Sequence, residues 1–276
     1  MLRIVHDLPD AEYRSAEGLT QSAISQLLEC PRLYHESLRF PREISPAMRL
    51  GVLVHTMVLQ PALLDTLFAF FSRPATTKEG KAQRAAALAR GLIPASSAEH
   101  DEAAAIATAL RDSEPAATLL TRLPGASEVS VFWQHRLHGN GGELQAKGRV
   151  DRLIDLGGGE WLALDLKTTS SGCSPHAVSK KIAQLHYYRQ AAWYLEGLAA
   201  NGISPCRFIF IFVTTTPPYL STCVTLSSDA LELGRDECER GARLYHEGLT
   251  TNSWPSYASK IIEIDLPPWS YNRGGI

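Results

Sequence analysis

Along the chain, the spacing of hydrophobic and polar positions changes from a helical to a strand period near residue 128. Before that point the spacing predicts helices. Thr20 is placed to cap a helix carrying Ile24, Leu27 and Leu28 at helical intervals, which Pro31 ends or restarts. Ser45-Pro46 opens a helix that is apolar nearly all round over residues 48–59, the mark of a buried helix, and Pro61 stops it. Residues 78–90 and 98–111 are rich in Ala, Arg and Glu and read as surface helices. From Glu128 onward, Val129, Val131 and Trp133 alternate with other residues at period two and predict a strand. A turn at residues 138–142 leads to a second strand at 147–156. Gly157-Gly158-Gly159 turns into a third at 161–168. A long helix over 177–200 follows, then RFIFIFVT at 207–214, apolar enough for a strand buried on both faces. A helix over 229–248 closes the series. The order predicts an α/β fold in one domain of 276 residues, with a mainly helical part at 1–125, an α/β core at 126–250 and a tail at 251–276.

Composition narrows the class. With 45% hydrophobic and 20% charged residues the chain is globular rather than disordered. No apolar run has membrane-spanning length, and residues 1–10 hold charges and a proline where a signal peptide needs an apolar core. The expectation is a soluble cytoplasmic protein with no membrane partner. Five cysteines, scattered and without a CxxC pair, fit reduced thiols better than a disulfide framework. A net charge of -2 gives no bulk sign of a nucleic-acid partner, and Arg32, Arg39, Arg42 and Arg49 read as an ordinary solvated face.

The candidate chemistry lies in the predicted hairpin, in GRVD (148–151) and ALDLKTT (163–169). Asp165 and Lys167 are two apart on a strand, so their side chains leave the same face. An antiparallel hairpin brings Asp151 within a few ångströms of Asp165. Two such carboxylates repel, and a divalent cation relieves the conflict. Mg²⁺ suits a site with one or two carboxylates that fills its shell with water and phosphate oxygens. Lys167 stands where it can orient water and stabilise charge on a phosphodiester. An isolated D-x-K is often a plain salt bridge, but here the pair interrupts the apolar strand Trp161, Leu162, Ala163, Leu164 and Leu166, where charge is costly.

Three further patterns accompany it: G-x-x-x-H in Gly51–His55, Glu128 at a strand start, and Q-x-x-x-Y in Gln184–Tyr188. In this order they resemble the RecB-like branch of the PD-(D/E)XK nucleases, over residues 20–214. The segments TQSAISQLLECPRLYHESL and MRLGVLVHTMVLQP look most like the RecE (exonuclease VIII) group of phages and prophages. The resemblance implies a mixed central sheet flanked by helices. It implies Asp151, Asp165, His55 and the carbonyl of Leu166 as metal ligands, with Glu128 as a supporting or second-metal acid. Lys167 becomes the catalytic lysine, and Gln184 and Tyr188 position DNA. Mg²⁺ is the implied cofactor, with Mn²⁺ able to substitute. Some relatives carry a four-cysteine iron–sulfur cluster. Cys206, Cys223 and Cys238 are too dispersed for one, so no cluster is expected and Cys30 reads as a buried thiol.

RecE-like enzymes degrade one strand of linear duplex DNA from its 5′ end, leaving a 3′ single strand for an annealing protein in recombination. They resemble lambda exonuclease in closing rings around DNA. The resemblance therefore implies double-stranded DNA ends, a single-strand annealing protein and further copies of the chain in a ring as partners. A structure-specific or single-strand endonuclease of the same fold, or an inactive DNA-binding scaffold, would share the same residues. No G-x-S-x-G elbow or Walker loop points to another hydrolase class.

Overall fold

The computed structural model describes residues 2–40, 45–139, 142–267 and 270–271; Arg42, Asn140, Gly141 and Trp269 lie outside them. The chain opens with strand β1 (Arg3–Val5) and helices α1 (Asp10–Ser15), α2 (Gln21–Glu29), α3 (Pro31–Ser37) and α4 (Pro46–Leu59). The predicted caps are in place: Thr20 Oγ1 accepts from the Ala23 amide at 3.2 Å and Ser45 Oγ from that of Met48 at 3.2 Å. Each such cap contributes roughly 1 kcal/mol by satisfying an amide the helix leaves open. A short α5 (Leu64–Leu67) leads to β2 (Phe68–Phe71), α6 (Lys78–Ala89), β3 (Ile93–Ser96) and α7 (Ser97–Asp112), with β2 and β3 forming a small parallel pair. The core follows as β4 (Ala126–Arg136), β5 (Glu143–Gly157), β6 (Glu160–Thr169), α8 (Pro175–Gln184), α9 (Tyr187–Ala200), β7 (Cys206–Thr214), β8 (Ser221–Thr225) and α10 (Ser228–Thr251).

Six strands form one mixed, mostly antiparallel sheet in the order β1-β4-β5-β6-β7-β8, with β7 parallel to β6. The meander β4-β5-β6 is the one predicted. Both faces are covered. Trp133, Trp193, Phe208, Phe210 and Phe212 are buried on the face that also packs α2, α9 and α10. Leu162, Leu164, Leu166, Ile211 and Val213 are buried on the opposite face with residues of α4 and α7. Alternation along β7 serves both layers, which explains its unbroken apolar run.

Two features depart from the sequence reading. The helix expected over 177–200 is broken: α8 stops at Gln184 and α9 starts at Tyr187, with His186 in the left-handed region (φ 56) between them. The edge strands β1 and β8, of three and five residues, carry too few positions for a period to register.

The feature that positions the site is a fork. β5 pairs with β6 only from Gly157 back to Arg152, opposite Leu164. Beyond that level residues 143–150 follow β4, and residues 165–169 follow β7. The two strands separate at Asp151 and Asp165.

Candidate active site

Where the fork opens, β6 turns backbone groups toward a strand that is no longer there. Side chains take them. Asp151 Oδ2 accepts the Leu166 amide at 2.7 Å, and His55 Nε2, from α4, lies 2.5 Å from the Leu166 carbonyl oxygen. His55 Nδ1 then faces Asp151 Oδ2 at 3.5 Å. His55 is carried in by a helix that approaches the sheet closely: a Cβ on Gly51 would stand 3.3 Å from Thr168 Oγ1. Helix α7 buttresses α4 through Arg49–Glu99 (2.7 Å) and a bond from Arg111 Nη2 to the Met57 carbonyl (2.9 Å).

Glu128 completes a group. It lies level with Asp151, since Ser127 pairs with Arg152 and Val129 with Val150. Its backbone sits at φ 53, a conformation that costs a non-glycine residue about 1 kcal/mol or more and that recurs at functional sites. Ligand atoms of His55, Glu128 and Asp151 all lie within 4.8 Å of one another. Burial raises the Glu128 pKa from its ordinary value, and the Asp151 charge raises it further.

Asp165 is almost fully buried and uses its two oxygens differently. Oδ2 accepts from Gln190 Nε2, while Oδ1 lies 2.6 Å from Lys167 Nζ without the alignment of a hydrogen bond. Burial, and then the charge of Asp151, pushes the Asp165 carboxyl up. Burial works to lower the Lys167 pKa, but Asp165 and Asp151 outweigh it and hold the ammonium above its usual value. The Lys167 ammonium also rests 4.8 Å from the centre of the Tyr187 ring.

The second motif lies elsewhere than expected. Gln184 is exposed at the end of α8, and the Tyr188 hydroxyl donates to Glu237 at 2.9 Å and meets His186 Nδ1 at 2.9 Å. The glutamine on Asp165 is Gln190, six residues on, and Q-x-x-x-Y is repeated there as Gln190–Tyr194. Tyr194 lies against Gly148 of GRVD, where a Cβ would come within 2.8 Å of its ring. The signal available in the sequence was a glutamine set among Ala191, Ala192 and Trp193, an apolar setting that a solvated glutamine does not need. The basic stretch is paired as an ordinary surface: Arg32 and Arg39 face Glu36 at 3.8 and 3.6 Å, and Arg49 faces Glu99. Cys30 is buried as expected, with Sγ 3.8 Å from the Pro255 carbonyl oxygen.

The donor set fits a hard divalent ion. An imidazole, carboxylates and a peptide carbonyl converge, the Glu128 and Asp165 carboxyls have pKa values raised by burial and then by the Asp151 charge, and a buried oxygen of Asp165 lacks an aligned partner. His55, Glu128 and Asp151 are grouped closely enough to hold it, and the Leu166 carbonyl beside His55 and the neighbouring Asp165 can add to the set.

The family model for the PD-(D/E)XK nuclease superfamily matches residues 18–257. The chain belongs to that superfamily. As PD-(D/E)XK nucleases are generally divalent-metal dependent, the acidic cluster is the candidate metal site of this member. Its fold is similar to the crystal structure of a "Putative exonuclease" from Eubacterium rectale, with a TM-score of 0.66 and 16% identity over 98% of this chain and 100% of that one. The crystal structure of SSO0001 aligns with a TM-score of 0.38 and 13% identity, over 87% of this chain and 78% of that one. No curated protein matches the sequence. Among the described residues no helix is long and apolar enough to cross a membrane.

Proposed function

We propose that this nuclease is an Mg²⁺-dependent exodeoxyribonuclease that acts on ends of linear double-stranded DNA, in the 5′→3′ direction, and leaves 3′ single strands for recombination. The observation that carries the reading is that the fork gathers the half-buried Asp151, His55, Glu128 and Lys167 around the buried Asp165. Whole-length likeness to a fold assigned to an exonuclease, and the RecE-like wording of residues 20–61, favour attack from an end over attack within a strand.

A bound divalent ion supplies positive charge to the scissile phosphate and acidity to a water. The protein's own residues do the rest. Lys167, fixed between Asp165 and the Tyr187 ring, directs its ammonium toward the charge that builds on the phosphoryl oxygens. Gln190 orients Asp165 by donating to Oδ2, so one carboxylate oxygen remains turned to the lysine. Gln190 and Tyr194 take the positioning role that the sequence reading gave to Gln184 and Tyr188. In this reading Mn²⁺ substitutes for Mg²⁺, and several copies close a ring that threads the duplex and hands its product to a single-strand annealing protein in the cytoplasm.

The test uses linear duplex labelled separately at its 5′ and 3′ ends, beside a closed circle, with Mg²⁺ or EDTA and with Lys167→Ala as control. Loss of the 5′ label first, survival of the circle and an inert variant are expected. Cleavage of the circle would make the protein an endonuclease on the same residues. No cleavage with Mg²⁺ or Mn²⁺ would leave a DNA-binding scaffold.

A further inference from the structure

Asp165, Lys167 and Thr169 follow one another at alternate positions of β6 and so share one face of the strand. The first two belong to the site already described. The third is buried, and its hydroxyl receives the ammonium of Lys181, which α8 brings across from the other side of the β6–α8 loop. Thr169 Oγ1 also accepts the Ser171 amide at 3.2 Å and stands 3.1 Å from the Ser171 hydroxyl, so the exposed turn at Ser171 is tied to the same point. One step of two residues along a strand is about 6.6 Å, of the order of the separation of neighbouring phosphates along a nucleic-acid strand.

Charge separates this point from three cations near the site that have carboxylate partners. Lys167 is matched by Asp165, Arg189 by Glu237 and Arg149 by Asp10. Lys181 is half-buried, and among the described residues no carboxylate lies within ion-pair distance of it. A lysine held in place on a neutral hydroxyl, beside a catalytic row and without an anion of its own, is arranged to receive one from outside. In a chain of net charge -2, affinity for a polyanion must come from such local cations.

We propose that Lys181, steadied by Thr169 and joined by the Ser171 hydroxyl, forms a second phosphate contact one nucleotide along from the phosphate that faces Lys167. The proposal rests on the nuclease reading above and adds to it a binding residue that fixes the register of the strand across the site. Lysine binds phosphate as a point charge and reads no base, so the contact is independent of sequence.

The experiment measures Kd for a duplex end in EDTA, and KM with Mg²⁺, over a range of salt. It compares wild type with Lys181→Ala and Lys181→Arg, and with Lys180→Ala as the control that removes an exposed charge next door. Loss of one phosphate contact lowers the slope of log affinity against log salt by about 1. Lys181→Ala is expected to show that drop together with a roughly three- to tenfold rise in Kd and KM, and Lys181→Arg to restore most of both. Lys180→Ala is expected to change the slope by less than half as much. Equal slopes for wild type and Lys181→Ala, or equal losses for Lys180→Ala and Lys181→Ala, overturn the contact while wild-type cleavage keeps the nuclease reading intact. A wild type that neither binds nor cuts DNA fails both. Melting of each variant identifies misfolding, and a folded Lys181→Arg keeps the test decisive if Lys181→Ala does not fold.

Discussion

Leu166 offers the site no side chain, yet its amide and carbonyl are both engaged there, by Asp151 and His55. At the residue scale the site is therefore assembled around the backbone of one residue rather than around a conspicuous side chain. The acids and the lysine were legible because charge inside an apolar strand is costly and so demands a reason. The glutamine was not, because two Q-x-x-x-Y frames lie six residues apart and only the left-handed turn at His186 decides which of them faces the sheet. Glu128 was legible as a strand start but not as a neighbour of His55, which depends on the register of β4 on β5. The two glutamines make a direct comparison. Gln190→Ala should lower kcat by about 10²-fold, as loss of a positioned donor does, while Gln184→Ala stays within about twofold. Steady-state cleavage of one labelled duplex measures both.

Elements, more than single residues, hold the layers together, and a buried imidazole joins three of them. His135 of β4 meets Glu196 of α9 through Nδ1 (2.7 Å) and Glu239 of α10 through Nε2 (3.2 Å). Glu196 also accepts from Trp133 Nε1, and Glu239 from Arg243 and from the His138 amide. Burial works to lower the His135 pKa, but the two carboxylates outweigh it and raise it. A raised histidine pKa stabilises the fold fully below its unfolded value, and the contribution is lost as pH rises through the folded one. Thermal unfolding should thus show a decline on the alkaline side of the ordinary histidine range. His135→Gln should flatten it and cost roughly 3 kcal/mol at acidic pH, as the loss of a buried ionic partner does. If the variant keeps the wild-type slope, the imidazole does not carry it. The four long core strands were readable from period two, flanking turns and one continuous apolar run, whereas β1 and β8 were too short, and the α8–α9 break has no proline or glycine to announce it.

Across the whole molecule, the tail divides at Tyr257. Before it, Trp254 stacks on His35 (5.0 Å between ring centres, 14° between planes) and lies so close to Gly248 that a Cβ there would overlap the ring. The Pro255 carbonyl accepts the Arg32 amide at 3.1 Å. After it, Ile261, Ile262, Ile264 and Leu266 are all exposed. Trp254→Ala should cost on the order of 2 kcal/mol, whereas ending the chain after Tyr257 should leave the melting temperature unchanged. Equal losses from the two changes would mean that the exposed segment also supports the fold.

The fork itself has a consequence for how this chain tolerates insertion. Asp151 and Asp165 stand at equal distances, seven residues, on either side of Gly158, so the hairpin works as a folded ruler whose crease sets where the two acids meet. Lengthening the crease at Gly157–Gly159, where all three residues already adopt left-handed backbone, leaves the marks aligned. Removing one residue from a single arm slides one scale past the other and turns its acid to the opposite face. The interval between the acids is thus free at the tip and rigid along both arms.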